Sequence, residues 1–182
     1  MSNVPPAAIL LFGAALLPLL PRFSRSVAFL LFPVGAFLLL VQLEIESSIS
    51  LGFLGFDLVP VQVDRLNLAF GYVFVLIAFL GGIYSFHLND IGQQVAALIY
   101  AGSSLGVVFA GDLLTLFVYW ELMALASVCL ILACRTERSR RAGMRYLLVH
   151  LFGGSVLLVG ILWYFVDTGS LLFERFDRGA AA

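Results

Sequence analysis

The chain of 182 residues contains no lysine. Its ten basic residues are all arginine, set against eleven acids, and only 12% of the sequence is charged. A net charge of −1 leaves no basic footprint for nucleic acid, which is excluded as a partner. Ordinary soluble domains are about one quarter charged. A water-soluble globule of this length could not cover its surface with so few charges. Cysteine is scarce as well. Cys129 and Cys134 stand five apart in one apolar stretch, which is neither a metal nor a redox spacing, and they read as small packing residues. No glycine-rich phosphate loop, zinc motif or nucleophile elbow occurs, so neither a metal nor a cofactor is implied. The opening MSNVPP has no basic n-region, so no cleaved signal peptide is expected and the first apolar stretch is expected to stay as a helix.

What fills the chain is apolar: 62% of residues are hydrophobic and the mean hydropathy is +1.08. A spanning helix needs ~20 mostly apolar residues. Six stretches approach this, at 4–20, 26–43, 66–86, 91–110, 112–134 and 144–166. The segment 44–65 differs. It holds Glu44, Glu46, Asp57 and Asp64, and Val59, Val61 and Val63 alternate with polar residues or proline, which is strand period. The expected fold is therefore all-α and polytopic, one membrane domain over residues 1–182, with about six transmembrane helices and a short extracytoplasmic β-hairpin between the second and third. Arg22 and Arg25 lie in the first loop, and Arg135, Arg138, Arg140, Arg141 and Arg145 in the fifth. Odd-numbered loops share a side, so the positive-inside rule puts both clusters in the cytoplasm and the hairpin and both termini outside. The lipid bilayer, as a bacterial cytoplasmic membrane, is the expected surroundings. The tail after Asp167 reads as a frayed terminus.

Glu121 is the leading site residue, an acid near the middle of the fifth span. A charge there costs at least ~2.5–3.5 kcal/mol and marks an ion path by default. It requires a proton, a cationic partner or a wet cavity, and each of these suits a group that takes and releases H⁺. His150, one or two turns inside the sixth span, is a relay candidate, with Gly153 and Gly154 leaving space beside its imidazole; a structural histidine bonding across helices is the alternative. Asp112 is placed as an N-cap or in the outer half of an ion path, and Asp64 with Arg65 as a cap or a local ion pair. Trp120 reads as a lipid or packing contact, and His87 as a solvated interfacial side chain. Gly102 and Gly106, with Ser103 and Ser104 between them, have small-xxx-small spacing for close helix approach.

The stretch FAGDLLTLFVYWELMALASVCLILACR (109–135), followed by RAGMRYLLVHLFGG (141–154), resembles the antiporter-like membrane subunits. These include the D-type subunit of Mrp-type multisubunit Na⁺/H⁺ antiporters and the related proton-pumping subunits of respiratory complex I. VDRLN (63–67) and IYSF (83–86) look similar too, and the resemblance covers about residues 60–170. It implies that Glu121 is an ion-path glutamate whose partner is a lysine on a seventh helix. It also implies partners: other subunits of an antiporter or respiratory-type complex, with H⁺ and coupled Na⁺ as the ions moved. This chain has no lysine and six spans, and its ERFDRGAAA ending points to a piece of a longer protein rather than a short subunit. Two other functions stay open: a membrane subunit of a redox-driven proton pump, and a structural or assembly subunit. In each case the chain itself is a transporter or membrane subunit, not an enzyme.

Overall fold

The computed structural model describes residues 4–53, 56–86 and 90–173. His87 and the tail from residue 174 lie outside the described residues, as do the first three residues. All six apolar stretches form helices: α1 (Pro6–Leu16), α2 (Arg22–Gln42), α3 (Arg65–Tyr84), α4 (Ile91–Phe109), α5 (Leu113–Leu132) and α6 (Glu137–Thr168). The last five are long and apolar enough to cross a membrane. The first is shorter than the expected 4–20. Pro18 and Pro21 lack the N–H that would continue it, so α1 tightens into a 3-10 turn at Leu17–Leu19 and stops at about 22 Å of helix. Short as it is, α1 is the most enclosed helix. Leu10 and Leu17 are fully buried and pack with Phe29, Ala36 and Leu40 of α2, Val75 of α3, and Leu98 and Leu105 of α4. Helix α6 is the reverse case, packing chiefly on α5 with Val149, Phe152, Val159, Trp163 and Val166 exposed, as lipid-facing or partner-facing side chains would be. Its 32 residues start well before the expected 144, because the Thr136 capping box with Ser139 begins the helix in the arginine-rich stretch.

Close helix approach depends on small residues, because lipid supplies no hydrophobic force between helices. The Gly102/Gly106 pair serves two different neighbours. Gly102 receives Leu10 and Leu11 of α1, and Gly106 receives the Tyr119 ring of α5, which lies where a Cβ would sit. Gly106→Val should therefore destabilise the α4–α5 contact by about 1–3 kcal/mol through overpacking. Denaturant titration in detergent checks this; an unchanged midpoint would mean that Tyr119 moves aside freely.

The hairpin forms as expected from its valine alternation: β1 (Ser48–Phe53) pairs antiparallel with β2 (Phe56–Gln62). The register slips between Ile49↔Val61 and Leu51↔Leu58, leaving one extra residue in β2 around Val59–Pro60. This is a bulge, and proline suits it because it has no N–H to place in a ladder. The bulge turns the Val59 backbone outward to the α4–α5 connection, where it accepts from Gly111 N (2.8 Å) and donates to Asp112 Oδ2 (2.8 Å). Leu113 N also donates to Leu171 O (2.9 Å), so the hairpin, the start of α5 and the segment after α6 meet at one end of the bundle. At the other end Arg135 pairs with Asp90, the N-cap of α4, at 2.9 Å. The loop before α4 and the arginine loop after α5 thus share one end, and the hairpin lies at the opposite one.

Candidate functional site

Helix α5 carries one charged side chain, Glu121, ninth of its twenty residues and so close to half-way along. Helix α6 passes beside it in the opposite direction. His150 Nε2 lies 3.8 Å from Glu121 Oε1, and the two side chains are only 17% and 23% exposed. Both of these atoms are buried without a hydrogen-bond partner among the described residues. The separation is within ion-pair range for a protonated imidazole and longer than a direct charge-assisted hydrogen bond, which runs ~2.7–2.9 Å. His150 is therefore level with Glu121, and α6, which starts at Glu137 rather than 144, carries its arginine-rich first turns ahead of the apolar stretch.

The imidazole is held by aromatic rings. Tyr146, one turn earlier on α6, stacks at a centroid distance of 5.8 Å with an interplanar angle of 16°, and Trp120 of α5 stacks at 6.1 Å and 20°. Trp120 is thus a packing contact of the site, while remaining 39% exposed. Sequence reasoning misses Tyr146; its i−4 spacing from His150 is the signal that points to it. The glycines also sort themselves. A Cβ at Gly154 would run into Glu121 Oε1 and reach the carboxyl carbon at 3.0 Å, whereas one at Gly153 would meet nothing within 4 Å. Gly154 makes room for the carboxylate, then, and not for the imidazole beside which the sequence places it. Among the other neighbours of Glu121 on α5, Ala124 is buried and Val118 and Leu125 are half-exposed.

The remaining candidates make local structural contacts. Asp112 is fully buried and caps α5, accepting from Thr115 N (2.7 Å), Thr115 Oγ1 (2.7 Å) and Val59 N (2.8 Å). Asp64 caps α3 in a reciprocal box with Asn67: its Oδ1 accepts from Leu66 N and Asn67 N, and its own N donates to Asn67 Oδ1. Ser103 and Ser104 donate back to carbonyls of their own helix, at Ile99 and Tyr100. Cys129 and Cys134 are free thiols. Among the described residues no group of three or more His, Cys, Asp or Glu is placed to hold a metal ion.

Residues 110–181 match the family described as NADH:quinone oxidoreductase/Mrp antiporter, transmembrane. The chain is 31% identical over 176 aligned positions to the A-type subunit of the Na⁺/H⁺ antiporter of Alkalihalophilus pseudofirmus, covering 86% of this chain and 22% of that protein. The D-type subunit from the same organism is 33% identical over 66 positions, covering 36% of this chain and 13% of that protein. Among solved structures, the Mrp complex from Dietzia sp. DQ12-45-1b superposes with a TM-score of 0.78 at 26% identity, covering 92% of this chain and 20% of the matched one. The resemblance carried by the α5–α6 motifs therefore holds, and the chain spans less than a quarter of the length of these curated relatives.

Proposed function

We propose that the chain is part of a cation/proton antiporter-like membrane subunit, a reading supported by the match of residues 110–181 to the NADH:quinone oxidoreductase/Mrp antiporter transmembrane family. Within a multisubunit complex it moves H⁺, with Na⁺ as the coupled ion. Glu121 is the intramembrane carboxylate of that path. The observation that supports this is a half-way acid sheltered between two helices, with one oxygen buried and unbonded. A charge at this depth is expensive and is kept where it is used. Neutralised by a proton, the carboxyl group is tolerable in the bundle; ionised, it needs a counter-charge or water. Alternation between these two states is what an ion path asks of a side chain. In this reading the arginine loops face the bacterial cytoplasm and the hairpin faces outward.

The test is transport in proteoliposomes holding the whole complex, with an imposed Na⁺ gradient and a pH-sensitive dye. Glu121→Gln keeps the shape, removes the titratable group and should bring antiport to background with assembly intact. Near-normal antiport in this variant overturns the proposal; lost assembly alone would make Glu121 a structural residue instead. The family also includes NADH:quinone oxidoreductase subunits, which supports a second reading, a redox-driven proton pump. Co-purifying subunits with redox centres, and H⁺ movement driven by electron donors in place of a Na⁺ gradient, distinguish it.

A further inference from the structure

We infer that Glu121 and His150 form a single proton-sharing couple. The inference rests on the proton-path reading of Glu121 and deepens it.

Four observations converge. First, Glu121 Oε1 and His150 Nε2 face each other at 3.8 Å, and neither atom has a hydrogen-bond partner among the described residues. A buried polar atom left unbonded is destabilising, so two facing orphans are relieved together by one proton and a shift of about 1 Å. Second, the ring is clamped. Tyr146 and Trp120 lie nearly parallel to it, which holds Nε2 towards the carboxylate and offers aromatic faces to an imidazolium. Third, Gly154 follows His150 by one turn and leaves Oε1 the space it occupies, so α6 shapes the site with two residues on one face. Fourth, among the described residues of the helices packed here no other charge competes. Helix α4 has no charged residue, Glu121 is alone on α5, and α6 keeps its charges at its ends, in Glu137, Arg138, Arg140, Arg141 and Arg145 at one and Asp167 at the other. The nearby Tyr119 of α5 points instead to Gly106 of α4.

The proton step balances without any electron transfer. From the ion pair, the Nε2–H bond of the imidazolium breaks and an O–H bond forms at Oε1, leaving a neutral imidazole and a carboxylic acid. The reverse restores the ion pair. Neither state carries net charge, which keeps the burial cost of both small beside that of a lone carboxylate. A proton arriving on either side of the couple can leave from the other.

The experiment uses the complete complex in proteoliposomes with native, E121Q, H150Q and doubly substituted chains, together with ¹⁵N-histidine NMR of the native and E121Q complexes. H150Q should slow antiport about 100-fold, the low side of what a positioned proton-transfer group contributes, and should add nothing to E121Q. The His150 ring-nitrogen chemical shifts should change when Glu121 becomes glutamine. If E121Q abolishes antiport while H150Q transports normally, the carboxylate path stands and the couple falls. If E121Q itself transports normally, the function proposal falls. Should H150Q fail to assemble, the NMR comparison decides alone: His150 ring-nitrogen chemical shifts unaffected by E121Q overturn the couple.

Discussion

Gly154→Ala is expected to reduce antiport on the order of 100-fold, the scale of loss that a displacement of about 1 Å produces at a reacting group, while Gly153→Ala leaves it unchanged. The two substitutions are one residue apart on the same helix and remove the same backbone freedom. Each raises intrinsic helix propensity by about 1 kcal/mol relative to glycine, so neither weakens α6. They differ in what the new methyl meets. At 153 it meets nothing within 4 Å; at 154 it occupies the position of Glu121 Oε1, with the carboxyl carbon at 3.0 Å and Oε2 at 3.4 Å. The obstructed group is the far end of a flexible side chain, so the fold survives by swinging the carboxylate away from α6. The chemistry of Glu121 and His150 is intact in this variant, and only their juxtaposition is lost. Parallel transport assays with a thermal-stability control read the result. Equal transport by the two variants would show that the carboxylate works from more than one position and that its contact with α6 is incidental.

The helices are legible in the sequence because their apolar runs are long and interrupted by charge or proline at each end. The valine alternation marks β2, and the caps at Asp64 and Asp112 follow from acids placed just before such runs. The short α1 is not legible as such: Pro18 and Pro21 are visible, but 17 apolar residues with prolines at the margin suit a span as well as a buried half-span. The bulge at Val59–Pro60 is hidden too, since strand period alone does not show which residue is extra. At the site, Glu121 and His150 are each identifiable as polar groups in apolar helices. Their pairing is not, and the family resemblance points Glu121 towards a lysine beyond this chain. Helical period says which residues share a face; it does not say at what height two neighbouring helices meet. That height is set by the α5–α6 contact and by the ties at the helix ends, which place Gly154 rather than Gly153 against the carboxylate.

Those ties make Asp112 the position where a single substitution should cost the most stability. Asp112→Ala removes the cap on Thr115 N, typically worth about 1 kcal/mol, and leaves Val59 N–H and the Thr115 hydroxyl without their acceptor in a buried place, at about 1–3 kcal/mol for an orphaned group. A loss on the order of 3 kcal/mol is expected, seen as an earlier unfolding midpoint in detergent and as faster proteolysis of the hairpin, which is tied to the bundle through Val59. Asp112→Asn should lose less. Its one carboxamide oxygen can still cap Thr115 N, but its NH₂ faces the Val59 N–H, donor against donor. Transport per folded molecule should follow the alignment of α5 with α6 and stay near native in the Asn variant, because Asp112 is nine residues, about 13 Å of helix, from Glu121. The acid at the helix start is open to two assignments from sequence, a cap or the outer half of an ion path, and its three bonds to neutral donors favour the cap. An Asn variant of full stability and no antiport would reverse that assignment, since a path residue needs its charge where a cap needs only its oxygens.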